Sequence, residues 1–165
     1  MTKFINTTHG TTIAYNKIKG KKPGIVFLSG FKSDMQGKKA IYIENWAKEN
    51  DHSFLRFDYS GHGQSSGEFQ KTSFSDWYND ARYLITHLTE GKQILVGSSM
   101  GGWIMLMLAK NMSDKVSSMI GLAPAPDFPK ILIWDKLNSY QKREFIKNKN
   151  KEELAWIQRA KNLFL

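Results

Sequence analysis

The sequence predicts an α/β architecture, a mostly parallel sheet with helices on both faces, and three observations predict it. Short apolar runs recur along the chain, two of them (residues 24–29 and 93–97) nearly continuous, as strands buried on both faces must be. Segments with helical spacing lie between these runs, and alternation of the two elements implies parallel strands joined by crossover helices. Turn-forming residues follow the apolar runs, most densely in Ser60-Gly-His-Gly-Gln-Ser-Ser-Gly67.

Taken in order, residues 11–17 alternate and predict an early strand. Residues 24–29, Gly-Ile-Val-Phe-Leu-Ser, predict a buried strand. Residues 36–50 place Ala40, Ile41, Ile43, Trp46 and Ala47 at helical spacing. Residues 53–59 predict the next strand and residues 74–89 a helix with Trp77, Ala81, Leu84, Ile85 and Leu88 on one face. A strand over 93–97, an apolar helix over 100–111 and a strand over 116–123 follow, the last ending at Pro124-Ala-Pro-Asp127. Beyond it only helical patterns occur, over 139–147 and 151–163. Ligands of such sheets bind beyond the carboxyl ends of the strands, which directs attention to the loops at 29–34, 60–67, 97–102 and 123–128.

A chain of 165 residues with 41% hydrophobic and 13% aromatic residues can bury one core. It has no Cys, so neither a disulfide framework nor a Cys-ligated metal is available, and no metal site is expected. No stretch approaches the roughly 20 apolar residues of a membrane span, and the first residues lack the apolar segment of a secretion signal, so the expected location is cytoplasmic. The formal charge of +9 raises the question of an acidic partner. Only four of the 24 basic residues are Arg, and the lysines alternate with Asn and Glu rather than forming an Arg-aromatic patch, so nucleic acid is not an expected partner.

The chemistry-bearing motif is Gly97-Ser98-Ser99-Met100-Gly101-Gly102, which fits G-x-S-x-G between a predicted strand and a predicted helix. A turn that sharp brings side chains two positions either side of the serine into the neighbouring strand and helix, and Gly97 and Gly101 remove them. Ser99 then points its hydroxyl away from the sheet, and the positive end of the following helix lies near any oxyanion that develops. One oxyanion donor would be the backbone N–H of Met100. The other should come from the loop after residues 24–29, where Leu28-Ser-Gly-Phe31 offers the N–H of Phe31, although Gly30 also reads as an ordinary strand-ending turn. The phosphate-cradling patterns G-x-x-x-x-G-K-[ST] and G-x-G-x-x-G are absent. The apolar residues near the elbow, Phe31, Met100 and Trp103, suggest an apolar acyl group, although core packing would equally explain Trp103.

Three blocks carry a family resemblance: Ile25-Val-Phe-Leu-Ser-Gly-Phe-Lys-Ser-Asp-Met-Gln-Gly-Lys-Lys-Ala40, Phe54-Leu-Arg-Phe-Asp-Tyr-Ser-Gly-His-Gly-Gln-Ser-Ser-Gly67 and Gln93-Ile-Leu-Val-Gly-Ser-Ser-Met-Gly-Gly-Trp103. In order and spacing they resemble the α/β-hydrolases of the mitochondrial palmitoyl-protein thioesterase and acyl-glucuronide esterase type and their bacterial relatives. The resemblance implies an α/β-hydrolase fold and a serine hydrolase of small acyl esters or thioesters that uses no cofactor. By position it makes Ser99 the nucleophile and gives Phe31 and Met100 the oxyanion hole. It also divides the chain into an N-terminal part of the core, 1–130, and a helical cap-region segment, 131–165.

One departure from the pattern is visible. The triad of this fold runs Ser, acid, His, whereas His9, His52, His62 and His87 all precede Ser99. The expectation is a chain lacking the last strands and helix, inactive or partial when isolated. Its 116–123 strand is then an apolar edge, prone to self-association or to pairing with a complementing C-terminal polypeptide. His62 lies on a loop at the correct end of the sheet but in a segment that reads as structural. Asp127 follows a strand from which some lipases take their acid, and also reads as a loop cap. Asp58 is expected to fix the turn that follows it. The alternative function is a non-catalytic remnant or acyl-binding module.

Overall fold

The computed structural model describes residues 1–128 and 134–148. A six-stranded sheet in the order β1-β2-β4-β3-β5-β6 is built from β1 (Lys3–Asn6), β2 (Thr12–Ile18), β3 (Lys21–Leu28), β4 (His52–Phe57), β5 (Gln93–Ser98) and β6 (Val116–Leu122). β4, β3, β5 and β6 are mutually parallel, while β1 and β2 join antiparallel. Four α-helices are described: α1 (Lys38–Glu49), α2 (Phe74–Leu88), α3 (Met100–Asn111) and α4 (Ser139–Asn148). The helical pattern expected over 151–163 lies outside the described residues.

The period of two in β3 explains why both faces are apolar. Ile25 and Phe27 pack with Ala40 and Ala47 of α1 and with Phe54 and Val96. Val26 and Leu28 point the other way, into a larger cluster with Leu84, Ile85, Trp103, Ile104 and Leu108 of α2 and α3. The sheet is thereby covered by α1 on one face and by α2 and α3 on the other. α2 begins at a capping box in which the N–H of Ser73 donates to Asp76 Oδ2 at 2.8 Å and the N–H of Asp76 donates to Ser73 Oγ.

Two differences from the sequence-based expectation have physical causes. β1 was not expected: it has four residues, only Ile5 of which is even partly buried, so no apolar alternation announces it. The helix expected over 36–50 is shorter, because Asp34 accepts hydrogen bonds from the N–H groups of Gln36 and Gly37 and delays the first turn to Lys38. At the other margin β6 pairs only with β5 among the described residues, and Met119 and Ile120 are 45% and 50% exposed.

Candidate active site

Ser99 occupies the junction of β5 and α3 with φ +54° and ψ −118°. For a residue with a Cβ this left-handed geometry costs about 1–3 kcal/mol and must be over-determined by its surroundings. Here it is. The Ser99 N–H donates to the Leu122 carbonyl (3.1 Å), and its own carbonyl accepts from Gly102 (2.9 Å) and Ala125 (3.1 Å). A Cβ on Gly97 would lie 2.5 Å from the Gly101 carbonyl oxygen and 2.7 Å from Gly102 Cα. One on Gly101 would overlap the Leu28 carbonyl of β3. Gly102, whose role the sequence did not disclose, gives way to Pro124: a Cβ there would come within 2.5 Å of the proline Cβ.

The strand end of β3 turns beside this elbow. The Ser33 N–H donates to the Gly30 carbonyl at 3.1 Å, closing a turn whose central residues are Phe31 and Lys32, the latter at φ +54°. Such a turn leaves the N–H of its second residue free, and the Phe31 N–H has no partner among the described residues. Met100 opens α3, so its N–H also lacks an intrahelical acceptor. A Cβ on Gly30 would stand 3.3 Å from Ser99 Cβ, which sets how closely the loop approaches the serine. The Phe31 ring is 41% exposed and makes edge contacts with Phe69, Trp77 and Phe128 at centroid separations of 5.2 to 5.8 Å. Met100 and Trp103, in contrast, are fully buried, so these two belong to the core and do not line an acyl surface. A recess of about 1250 Å³ bordered by His9, Tyr78, Arg82 and His87 lies against α2, and Ser99 does not line it.

The Hydrolase_4 family model, described as serine aminopeptidase, S33, matches residues 21–159. The chain belongs to that α/β-hydrolase family. The mitochondrial palmitoyl-protein thioesterase ABHD10 of rat is 45% identical over 124 residues, covering 75% of this chain and 42% of that protein. The human protein of the same name is 45% identical, with 40% of its length covered. In structure, the mouse alpha/beta hydrolase domain-containing protein 10 superposes with a TM-score of 0.87 at 32% identity, covering 99% of this chain and 70% of that one. The chain therefore spans about two fifths of the length of the curated relatives it matches.

Each of the four histidines has a hydrogen-bond contact of its own, none of them to Ser99. His9 Nε2 lies 2.9 Å from Asp80 Oδ1. The Nδ1 atoms of His52, His62 and His87 lie 3.2, 3.2 and 2.8 Å from the carbonyls of Pro23, Ser60 and Tyr83. His62 is boxed by the rings of Tyr59, Phe69 and Trp77, and its buried Nε2 has no hydrogen-bond partner. Burial holds its pKa below the ordinary histidine value, against the Ser60 carbonyl and the charges of Asp58 and Asp80, which act upward. Asp127 sits at φ +55°, and its carboxylate has no partner among the described residues.

Asp58, at the end of β4, does fix the following turn by accepting the Gln64 N–H at 2.8 Å, and it also reaches back to the Met35 N–H at 2.6 Å. Burial pushes its carboxyl pKa up while these two N–H groups pull it down. Gly63, at φ +48°, makes this approach possible, since a Cβ there would overlap the carboxylate. The link from Asp58 to Met35, and a second one from Arg56, had no signal in the sequence, because both join residues more than twenty positions apart.

Two consequences are measurable. Gly101→Ala should destabilise the fold by about 3 kcal/mol or more, read from urea unfolding, because a strand carbonyl rather than a pliable side chain meets the new methyl; a loss under about 1 kcal/mol would contradict the packing described. His62 has a folded-state pKa below its unfolded one, so the unfolded chain binds the proton more readily and stability falls as pH drops below about 6.5. His62→Phe, which keeps the aromatic box and leaves the Ser60 carbonyl bonded to Trp77 Nε1, should flatten that part of the stability profile by up to about 1.4 kcal/mol per pH unit. Parallel wild-type and variant profiles between pH 7 and 5 would show that His62 is not the group responsible.

Proposed function

We propose that this chain carries the nucleophile half of a serine hydrolase of carboxylic esters or thioesters, with Ser99 as the acyl acceptor and the N–H groups of Phe31 and Met100 as the oxyanion donors. The observation that carries the reading is the strained Ser99 backbone, fixed by three main-chain hydrogen bonds beside a loop with an unused N–H. Its relatives bearing the name palmitoyl-protein thioesterase support an acyl thioester as substrate, and the exposed Phe31 ring supplies apolar surface for the acyl chain.

In this reading the Ser99 hydroxyl oxygen bonds to the acyl carbon, and the carbonyl oxygen becomes an oxyanion between the two N–H donors. Collapse breaks the C–S or C–O bond, releases the thiol or alcohol and leaves an acyl-serine, which water hydrolyses to the acid and free Ser99. Each step needs a proton carrier. None of the four histidines hydrogen-bonds to Ser99 among the described residues, so in this reading no histidine of these residues is the carrier. A serine with donors but no base keeps roughly 10³–10⁴ of acceleration over water, against a loss of roughly 10⁶ in turnover. The same observation favours a second reading, an acyl-binding module without chemistry.

An alkyl fluorophosphonate separates the two. The expected outcome is a single adduct on Ser99, formed over hours and absent in Ser99→Ala, with no sustained turnover of a decanoyl thioester. Lack of any Ser99 adduct favours the binding module, whereas fast turnover refutes the need for an external base.

The apolar margin at β6 supports one further expectation. Met119 and Ile120 are exposed beside a strand edge that is unpaired among the described residues, so the chain should self-associate. Sedimentation velocity at tens of micromolar should show dimers or larger species that Ile120→Lys reduces; a wild-type monomer at those concentrations contradicts it.

A further inference from the structure

The loop that carries the Phe31 N–H is short of hydrogen bonds of its own. Between Leu28 and Lys38 its internal bonds are the Gly30–Ser33 turn and the two bonds to Asp34. What ties it to the sheet is the neighbourhood of Met35 and Gln36, the latter accepting from Arg56 Nη1 through Oε1 at 3.1 Å. The Met35 N–H donates to Asp58 Oδ1 at 2.6 Å, and the Met35 carbonyl accepts from Arg56 Nη1 at 2.7 Å. Its sulfur lies 3.7 Å from the Asn16 amide nitrogen, and the residue is fully buried. Both side chains that grip it come from the carboxyl end of β4, are themselves less than a tenth exposed, and are fixed in turn. Arg56 is held by Glu44 Oε2 of α1 through Nε (3.1 Å) and Nη2 (2.8 Å), and Asp58 by the Gln64 N–H.

We propose that Asp58 is a positioning residue for the acyl-transfer site, holding with Arg56 both sides of Met35 so that the Phe31 N–H stays aimed beside Ser99. The proposal rests on Ser99 being the nucleophile. A buried carboxylate accepting two main-chain N–H groups from two different loops, at 2.6 and 2.8 Å, is a rigid strut. One of those loops is the oxyanion loop. The other contains His62, whose aromatic box of Phe69 and Trp77 is the surface on which the Phe31 ring rests. Asp58 thus sets Phe31 twice, through its main chain by way of Met35 and through its ring by way of the 60–67 loop. Angular misplacement of one oxyanion donor is costly, since loss of such a donor reduces rate by about 10²–10³.

The test uses the full 165-residue chain and the rate of Ser99 phosphonylation by an alkyl fluorophosphonate, whose phosphoryl oxygen occupies the place of the oxyanion. Asp58→Asn keeps the shape but sets an NH2 group against one of the two N–H donors. Arg56→Lys keeps a cation for Glu44 but cannot also reach the Met35 carbonyl in the same geometry. Leu84→Ala, a cavity in the core under α2, serves as the destabilised control. Both loop variants should label at least tenfold more slowly than wild type, while Leu84→Ala, with an equal or greater drop in melting temperature, stays within about twofold. In ¹⁵N spectra the Phe31 amide should shift on phosphonylation of wild type and shift less in Asp58→Asn. If one loop variant fails to fold by circular dichroism, the other carries the comparison. Wild-type labelling rates in folded Asp58→Asn and Arg56→Lys overturn the positioning role, as does slowing that merely tracks melting temperature across all three variants. Absence of Ser99-dependent labelling in wild type has a different meaning: it removes the nucleophile reading, and the positioning role falls with it.

Discussion

The structure depends on one steric constraint, the distance at which β5, α3 and β3 can meet around residue 99. The chain reverses from strand to helix within a residue or two, which forces Ser99 to φ +54° and brings the first turn of α3 against the Leu28 and Ser29 carbonyls at the end of β3. Three glycines and one proline make this packing possible. Gly97 faces Gly101, Gly101 faces the β3 carbonyls, and Gly102 faces Pro124, which follows β6. The elbow is therefore a joint contact of three neighbouring parallel strands, β3, β5 and β6, rather than a local turn. Its backbone strain, about 1–3 kcal/mol, is offset by hydrogen bonds with the end of the adjacent strand β6 and the residues after it, at Leu122 and Ala125.

From that constraint the placing of the surrounding loops follows. Parallel strands end on the same side, so the segments after β3, β4, β5 and β6 gather at one edge of the sheet. Each contributes something distinct: an unused N–H at Phe31, a buried carboxylate at Asp58 with a glycine-rich loop behind it, a raised hydroxyl at Ser99, and an aromatic ring at Phe128. Rings join them laterally. Phe31 contacts Phe69, Trp77 and Phe128, and Trp103 connects Phe128 to Phe74 beneath. The gathered loops thus share a floor of aromatic side chains, which fixes them without the long hydrogen-bond ladders that strands enjoy.

Much of this was legible in the sequence, and what was not shares a cause. The buried strands were readable because a parallel strand covered on both faces must be apolar throughout, as Ile25-Val-Phe-Leu28 and Ile94-Leu-Val96 are. The elbow was readable because its glycines answer to local sterics. β1 escaped because its stability comes from pairing with β2 and not from burial. Met100 and Trp103 were read as possible lining because they neighbour Ser99 in the chain, whereas α3 turns both side chains inward. The Arg56–Met35–Asp58 clamp, the His9–Asp80 bond and the fit of Gly102 to Pro124 are all contacts between distant residues. Sequence patterns encode the periodicity of an element and the shape of a turn, but they carry no record of which loop lies over which.

The histidines show how the same logic bears on chemistry. Position alone made His62 the best internal candidate for a base, since it lies on a loop at the functional end of the sheet. Its surroundings argue otherwise on two independent grounds. Geometrically, Nδ1 is directed at the Ser60 carbonyl, the ring packs against Tyr59, Phe69 and Trp77, and Nε2 is buried without a hydrogen bond to Ser99. Electrostatically, burial disfavours the imidazolium that a general base must become as it takes the serine proton. An imidazole held neutral inside an aromatic box serves packing well and proton transfer badly. The sterics that raise Ser99 are met by neighbouring glycines and main-chain hydrogen bonds, whereas none of the four histidines hydrogen-bonds to it among the described residues.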